Sequence, residues 1–407
     1  LDRGTAFPDL PRRVLVSLGG RDLDWLDTRP ARDVVMAYGA RVSHLDGMLD
    51  ALEQGLPDID AGHGAWTDYA GRWAEALALR HADGRAPTPW HDRFEALHDR
   101  IEARFGAWMV EHFSELASLS PSSPVMVHHV PRAMARVLER GTARRVALLV
   151  LDGMAYDQWL TLRATLDVAA MGATEQRGAV FAWVPTITSV SRQSLFAGAV
   201  PARFATQLGG TSGEAGLWRA FWRAERLRDE AVVYKRGLGS SGGEALDTQL
   251  EDPRVRVLGL VADTVDAMLH GAVLGAAGMH EQLRLWARDG WLSRTLGSLV
   301  AHGFTVFVTA DHGNLELTGT GRVVDGALAE VRGERVRVFA DEPLRQKVAR
   351  QHPMARCWRG EGLPAEYKCL LATGRDAFVE PGRKLLGHGS IALEEVVVPL
   401  VVFAPTR

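Results

Sequence analysis

Seven side chains able to ligate a metal or attack an electrophile stand at or just past the ends of apolar runs in this chain. Asp152 closes VALLVLD, Thr188 closes FAWVPTIT, and Asp266 and His270, four residues apart, follow VRVLGLVAD. Asp311 and His312 end TVFVTADH, and His388 sits in GHGS just before the last apolar run, EEVVVPLVVF. This set of aspartates, histidines and one hydroxyl suits zinc first, with manganese or magnesium as carboxylate-favoured alternatives. The simplest chemistry that uses all of them is phosphoryl transfer at a pair of divalent cations. A threonine hydroxyl is a poor nucleophile near neutrality, and a bound cation makes it competent by lowering its pKa. Thr188 also leads into SVSRQSLFAG, a predicted helix whose first N–H groups favour an anionic phosphate. The expected path is in-line attack by Thr188 on phosphorus, a phosphothreonine intermediate, and its hydrolysis by water. Arg192, one turn into that helix, and Lys235 are candidates for gripping the substrate.

Taken singly, each piece has a commonplace reading. Asp152-Gly153 reads as a turn, Pro-Thr-Ile-Thr as a helix entry capped by threonine, and Asp266 with His270 as a solvated pair on one helix face. Order and completeness raise the joint reading. The pieces occur once each, in sequence, each tied to a strand end or close to one.

Open α/β sheets bind ligands beyond the carboxyl ends of their strands. Parallel strands buried on both faces read as unbroken Val/Ile/Leu runs. From residue 143 on, such runs alternate with helical stretches, the pattern of a doubly wound, mostly parallel sheet. Strands are predicted at 146–152, 180–185, 231–235, 255–262, 305–310, 336–340, 367–372 and 396–403. Helices are predicted at 155–170, 190–198, 214–228, 261–270, 279–301 and 343–351. The glycine-rich pieces LGGTSGEAG and GLGSSGGE read as loops over the strand ends, without a Walker-type lysine pattern. Residues 319–384 are less regular and read as an insertion or cap beside the site.

Residues 1–142 differ. Apolar residues at i, i+3, i+4 and i+7 in 32–54, 68–82 and 90–119 predict an all-helical N-terminal domain, followed by a short helix around 132–140. It carries no catalytic constellation of its own. His112, His128 and His129 read as ordinary helix or loop histidines.

Bulk properties narrow the classes. A chain of 407 residues with 46% hydrophobic and 24% charged residues is an ordinary globular protein. A net charge of -3 excludes a globally basic surface, and with it a strong sequence-independent grip on nucleic acid; a local basic groove stays compatible. Cys357 and Cys369 are too few for a disulfide framework and lack metal-site spacing, so both are expected as free thiols of a reducing cytoplasm. No apolar stretch reaches the length of a membrane span, and LDRGTAFPDLPRR has no signal-peptide pattern. The absence of an initiating Met leaves room for the sequence to be a piece of a longer chain.

LVLDGMAYDQW, PTITSVSRQSLFAG, DAMLH, TADHGN and GHGS together resemble the alkaline phosphatase superfamily, and specifically its PglZ branch, over about residues 144–395. The resemblance implies an alkaline-phosphatase-like sheet with two metal sites. Asp152, Thr188, Asp311 and His312 would hold one ion, and Asp266, His270 and His388 the other. Thr188, rather than Thr186, matches the family nucleophile. Sulfatases of the superfamily need a modifiable Cys or Ser in a Cys-x-Pro-x-Arg-like motif, which this chain lacks. PglZ proteins belong to BREX-type bacteriophage exclusion. The implied function is a metal-dependent phosphodiesterase or phosphatase, with a nucleotide or nucleic acid as substrate and other phage-defence proteins as partners. Two alternatives stand beside it: a non-catalytic, metal-stabilised scaffold of a defence complex, and a phosphomutase or other transferase.

Overall fold

The computed structural model describes residues 44–82, 88–119, 123–239, 246–272, 274–323 and 333–406. The N-terminal peptide and the first part of the predicted helix 32–54 lie outside the described residues, as do 240–244 of the second glycine-rich piece and 324–332 of the expected cap.

The central sheet has six strands in the order β2-β12-β5-β1-β4-β3. These are β1 (Arg145–Leu151), β2 (Ala173–Phe181), β3 (Val232–Leu238), β4 (Val257–Ala262), β5 (Phe304–Thr309) and β12 (Val397–Pro405). β3, β4, β1 and β5 run parallel, and β12 is antiparallel to both β5 and β2. β4 and β5 are buried along their whole length, as is all of β1 after Arg145. That double-sided burial is why these strands are unbroken apolar runs in the sequence. Register matters for the site. Leu149 lies between Leu260 of β4 and Val308 of β5, so all three strands end at one edge.

The expectation of a strand at 180–185 needs correction. β2 ends at Phe181 and starts as early as Ala173. It is an edge strand whose one neighbour in the sheet is β12, so its middle residues are solvent-exposed and carry no apolar signal. The helix expected at 155–170 ends at Arg163, and the one expected at 279–301 is two helices, Gly275–Asp289 and Trp291–Ala301, separated at Gly290.

The helical region is continuous with this core. Residues 44–54 are helical, and helices His63–Arg80 and Thr88–Ser118 follow. Trp66, Trp73, Trp90 and Trp108 are fully buried, and all four belong to the same apolar cluster as the strand residues. Trp108 meets Phe181 at 5.7 Å between ring centroids, and Phe113 meets Trp183 edge-on at 5.6 Å.

The region expected as a cap, together with the strands that flank it, forms two small sheets. One has the order β10-β6-β11, from Asp376–Ala377, Leu315–Gly319 and Lys384–Gly387. The other has the order β7-β9-β8, from Val336–Phe339, Lys368–Ala372 and Ala355–Cys357, beside helix Glu342–Gln351. Cys357 and Cys369 are free thiols. Among the described residues, no helix is long and apolar enough to cross a membrane.

Candidate active site

Because β1, β4 and β5 end together, the residues just past them meet. Asp152 follows β1, Asp311 and His312 follow β5, and Asp266 and His270 lie on helix Thr264–Gly271 just after β4. Thr188 is the first residue of helix Thr188–Ala197, and His388 follows β11. Two groups result. In the first, ligand atoms of Asp152, Asp311 and His312 lie within 4.8 Å of one another; in the second, those of Asp266, His270 and His388 do the same. The His312 and His388 rings stack at 4.0 Å between centroids and join the two groups.

The hydroxyl of Thr188 is 3.2 Å from His312 Nε2, at the edge of the first group. Thr186, two residues earlier, is engaged otherwise: its hydroxyl donates to Glu395 Oε2 at 2.8 Å. Both buried histidines present Nε2 for a defined reason. His312 Nδ1 faces the carbonyl of Gly313 at 3.0 Å, and His388 Nδ1 faces that of Thr186 at 2.6 Å. A carbonyl only accepts, so Nδ1 carries the proton and the Nε2 lone pair is free, the arrangement that orients metal-ligating imidazoles. Burial holds the pKa of His312 below its usual value, and burial and the neighbouring His312 do the same for His388. His270 is more exposed and is pushed up by its hydrogen bond to Asp266.

The carboxylates fit a cation. Asp152 Oδ1 and Asp311 Oδ2 are buried with no hydrogen-bond partner among the described residues. Burial and the charge of Asp152 drive the Asp311 carboxyl well above its ordinary range. Orphaned buried oxygens of this kind, facing one another beside a neutral imidazole, are what a divalent ion would satisfy.

Two glycines give the ligands room. Gly153 has φ of 69°, and a Cβ there would stand 3.5 Å from Asp266 Oδ1 and 3.6 Å from His312 Cε1, in the gap between the groups. At Gly313 a Cβ would come within 2.0 Å of the carbonyl oxygen of Glu394, a backbone atom that cannot swing away. Gly313→Ala is therefore expected to cost about 3 kcal/mol of stability, or to displace His312 and weaken metal retention. Thermal melting with and without added zinc reads both effects.

The candidate substrate-gripping residues are placed differently. Arg192 is 2% exposed, and its guanidinium binds Asp152 and Glu214, the latter at 2.8 Å. Burial works against its charge, but Asp152, Glu214 and Asp311 outweigh this and hold it firmly protonated. Lys235 lies on β3 and is not part of the cleft wall. The cleft, about 1030 Å³, is lined by Thr188, Thr211, Asp266, His270, His388 and Arg337, among others. Thr211 comes from LGGTSGEAG, the first glycine-rich piece, and Arg337 from β7.

Sequence reasoning missed a supporting shell. Glu395 is fully buried and accepts hydrogen bonds from Gly389 N at 2.8 Å, Ser390 N at 3.0 Å, Ala392 N at 2.8 Å and Thr186 Oγ1, while Arg335 pairs with its other face. One side chain thus fixes both the loop of His388 and the segment before Thr188. Asn314 and Gln158 hold each other at 2.9 Å, and Asn314 donates to the Gly153 carbonyl at 2.7 Å. The available signal was the pair of glutamates inside the apolar run ALEEVVVP.

Residues 130–403 match the model of the BREX system PglZ alkaline phosphatase-like domain. The chain belongs to the PglZ family. None of the curated proteins matches it. Among solved structures, this PglZ chain is similar to murine ectonucleotide pyrophosphatase/phosphodiesterase 5, inactive and in complex with AMP. That pair shares 11% identity at a TM-score of 0.46, covering 65% of this chain and 88% of that one. It is also similar to the phosphonoacetate hydrolase of Sinorhizobium meliloti 1021 in complex with phosphonoformate, at 13% identity and a TM-score of 0.37, covering 64% and 90%. The PglZ match begins at residue 130, so helices His63–Arg80 and Thr88–Ser118 precede it.

Proposed function

We propose that this PglZ chain is a metal-dependent phosphoesterase that cleaves phosphodiesters of nucleotides or nucleic acid within BREX-type bacteriophage defence, alongside other proteins of the system. One observation carries the reading. The Thr188 hydroxyl lies against the group of Asp152, Asp311 and His312, while Asp266, His270 and His388 face the same cleft.

Asp152, Thr188, Asp311 and His312 would hold one ion, and Asp266, His270 and His388 the other, with zinc the first choice and manganese or magnesium next. When bound, such cations lower the pKa of an attacking hydroxyl and stabilise charge on phosphoryl oxygens. The remaining work belongs to the chain. Thr188 Oγ attacks phosphorus in line, a phosphothreonine forms, the alcohol product leaves, and water cleaves the new ester. Helix Thr188–Ala197 directs its first N–H groups toward the anion. Arg192 acts by holding Asp152 rather than by gripping phosphate. Arg337 lines the cleft, and four of its N–H contacts already go to the carbonyls of Val323, Gly333, Val336 and Phe378.

The test is hydrolysis of bis-p-nitrophenyl phosphate and of a short oligonucleotide by protein stripped with chelator. The rate is expected to fall to background and to return with zinc or manganese. A rate unchanged by exhaustive chelation would remove the metal from the reading.

A further inference from the structure

We propose that the chain holds a third divalent cation, on His98, Glu102 and Glu394, pinning the helical region to the PglZ domain. His98 and Glu102 stand at i and i+4 on helix Thr88–Ser118 and so share a face. Glu394 lies on the short helix Leu393–Val396, inside the PglZ match, whereas the other two lie outside it. One ligand atom from each falls within 4.8 Å of the others. All three residues are buried, at 8%, 9% and 7% exposure respectively.

The group carries the same signature as the two at the active site. There, Asp152 Oδ1 and Asp311 Oδ2 are buried without a partner, and histidine Nε2 atoms sit 3.4 and 3.5 Å from Asp266 and Asp311. Here, Glu394 Oε2 and His98 Nε2 are buried without a hydrogen-bond partner among the described residues. His98 Nε2 is 2.8 Å from Glu394 Oε1, an ion pair whenever the imidazole is protonated and a single positive charge against two carboxylates. The carboxylates are nevertheless oriented. Trp73 Nε1 donates to Glu394 Oε1 at 2.6 Å, and the Leu393 N–H donates to Glu102 Oε1 at 3.1 Å. Outer hydrogen bonds of this kind fix metal-ligating carboxylates.

Charge completes the case. Among the described residues, no arginine or lysine forms an ion pair with Glu102 or Glu394, although each is more than nine-tenths buried. Two carboxylates brought together away from water need a counter-charge. One imidazole and two carboxylates form a zinc-type set, as in sites that keep an open position. His98 and Glu394 also line a cavity of about 470 Å³. Because the ligands come from both sides of the helix–sheet contact, the ion stabilises their packing as well as the site.

Metal content per chain, measured by mass spectrometry after zinc loading and desalting, tests this. The full chain is expected to hold about three equivalents, and Glu102→Gln about one fewer. Gln keeps the size and the acceptor for Leu393 N–H, so folding should survive. As a measurement free of any variant, an anomalous difference map of the zinc-loaded wild type is expected to place a peak between His98, Glu102 and Glu394. A wild type with no such peak overturns the proposal, as does a Glu102→Gln protein that keeps every equivalent; a proton shared between the two carboxylates would give both results.

Discussion

Replacing Thr188 with alanine is expected to lower diester turnover by on the order of 10⁴-fold, with metal content unchanged. The hydroxyl stands at the edge of the first ligand group, 3.2 Å from His312 Nε2, whereas the Ser191 hydroxyl is committed to the Asp311 carbonyl at 2.5 Å. Thr186 cannot substitute, because its hydroxyl is committed to Glu395 and its carbonyl to His388. Asp152, Asp311 and His312 remain as ligands when Thr188 is removed, so metal binding and chemistry separate. Thr188→Ser keeps an alcohol at the same place and should retain a measurable fraction of the rate. Steady-state kinetics with parallel metal analysis reads the split. A Thr188→Ala protein with full metal-dependent turnover would show that another group attacks phosphorus.

Replacing Glu395 with glutamine is expected to be the most destabilising of these changes, at about 3–5 kcal/mol. Glu395 and Arg335 are both fully buried and paired, so the substitution leaves the Arg335 guanidinium without its anion. It also sets an amide N–H₂ against a pocket of donors, since Glu395 receives the N–H groups of Gly389, Ser390 and Ala392. Leaving such buried groups unmatched costs more than the hydrogen bonds themselves contribute. The loop of His388 hangs on those bonds, so the second ligand group should loosen together with the fold. Chemical denaturation gives the first effect, and zinc affinity at the weaker of the active-site ions gives the second. A Glu395→Gln protein as stable as wild type would mean that the loop is held by its packing alone.

The sheet was legible because its central strands are buried on both faces. VALLVL, VLGLVA and FTVFVT read as strands with no help from context, and the candidate ligands stand at or just beyond their ends. The second ligand group was legible for a different reason: Asp266 and His270 share a helix face by spacing alone. What the sequence hid depends on pairing across space. β2 gave only its last two residues, because ATEQRG lies on an edge strand in contact with water. Glu395 stands at the head of an apolar run, and only folding shows that it collects the loop around His388. Arg192 sits one turn after Thr188, where a phosphate clamp would stand, yet the fold turns it inward to Asp152 and Glu214. Helices do form at 44–54, 63–80 and 88–118, but periodicity cannot say what an apolar face packs on. Here Trp73 and Trp108 reach the PglZ domain itself, at Glu394 and Phe181.

The central claim is that two divalent ions lie beside Thr188, one on each ligand group. Crystals grown with zinc or manganese, measured at the metal's absorption edge, test it most directly. The account predicts two anomalous peaks about 4 Å apart, one bounded by Asp152, Thr188, Asp311 and His312 and the other by Asp266, His270 and His388. Crystals that hold the metal elsewhere and leave both groups bare would contradict it.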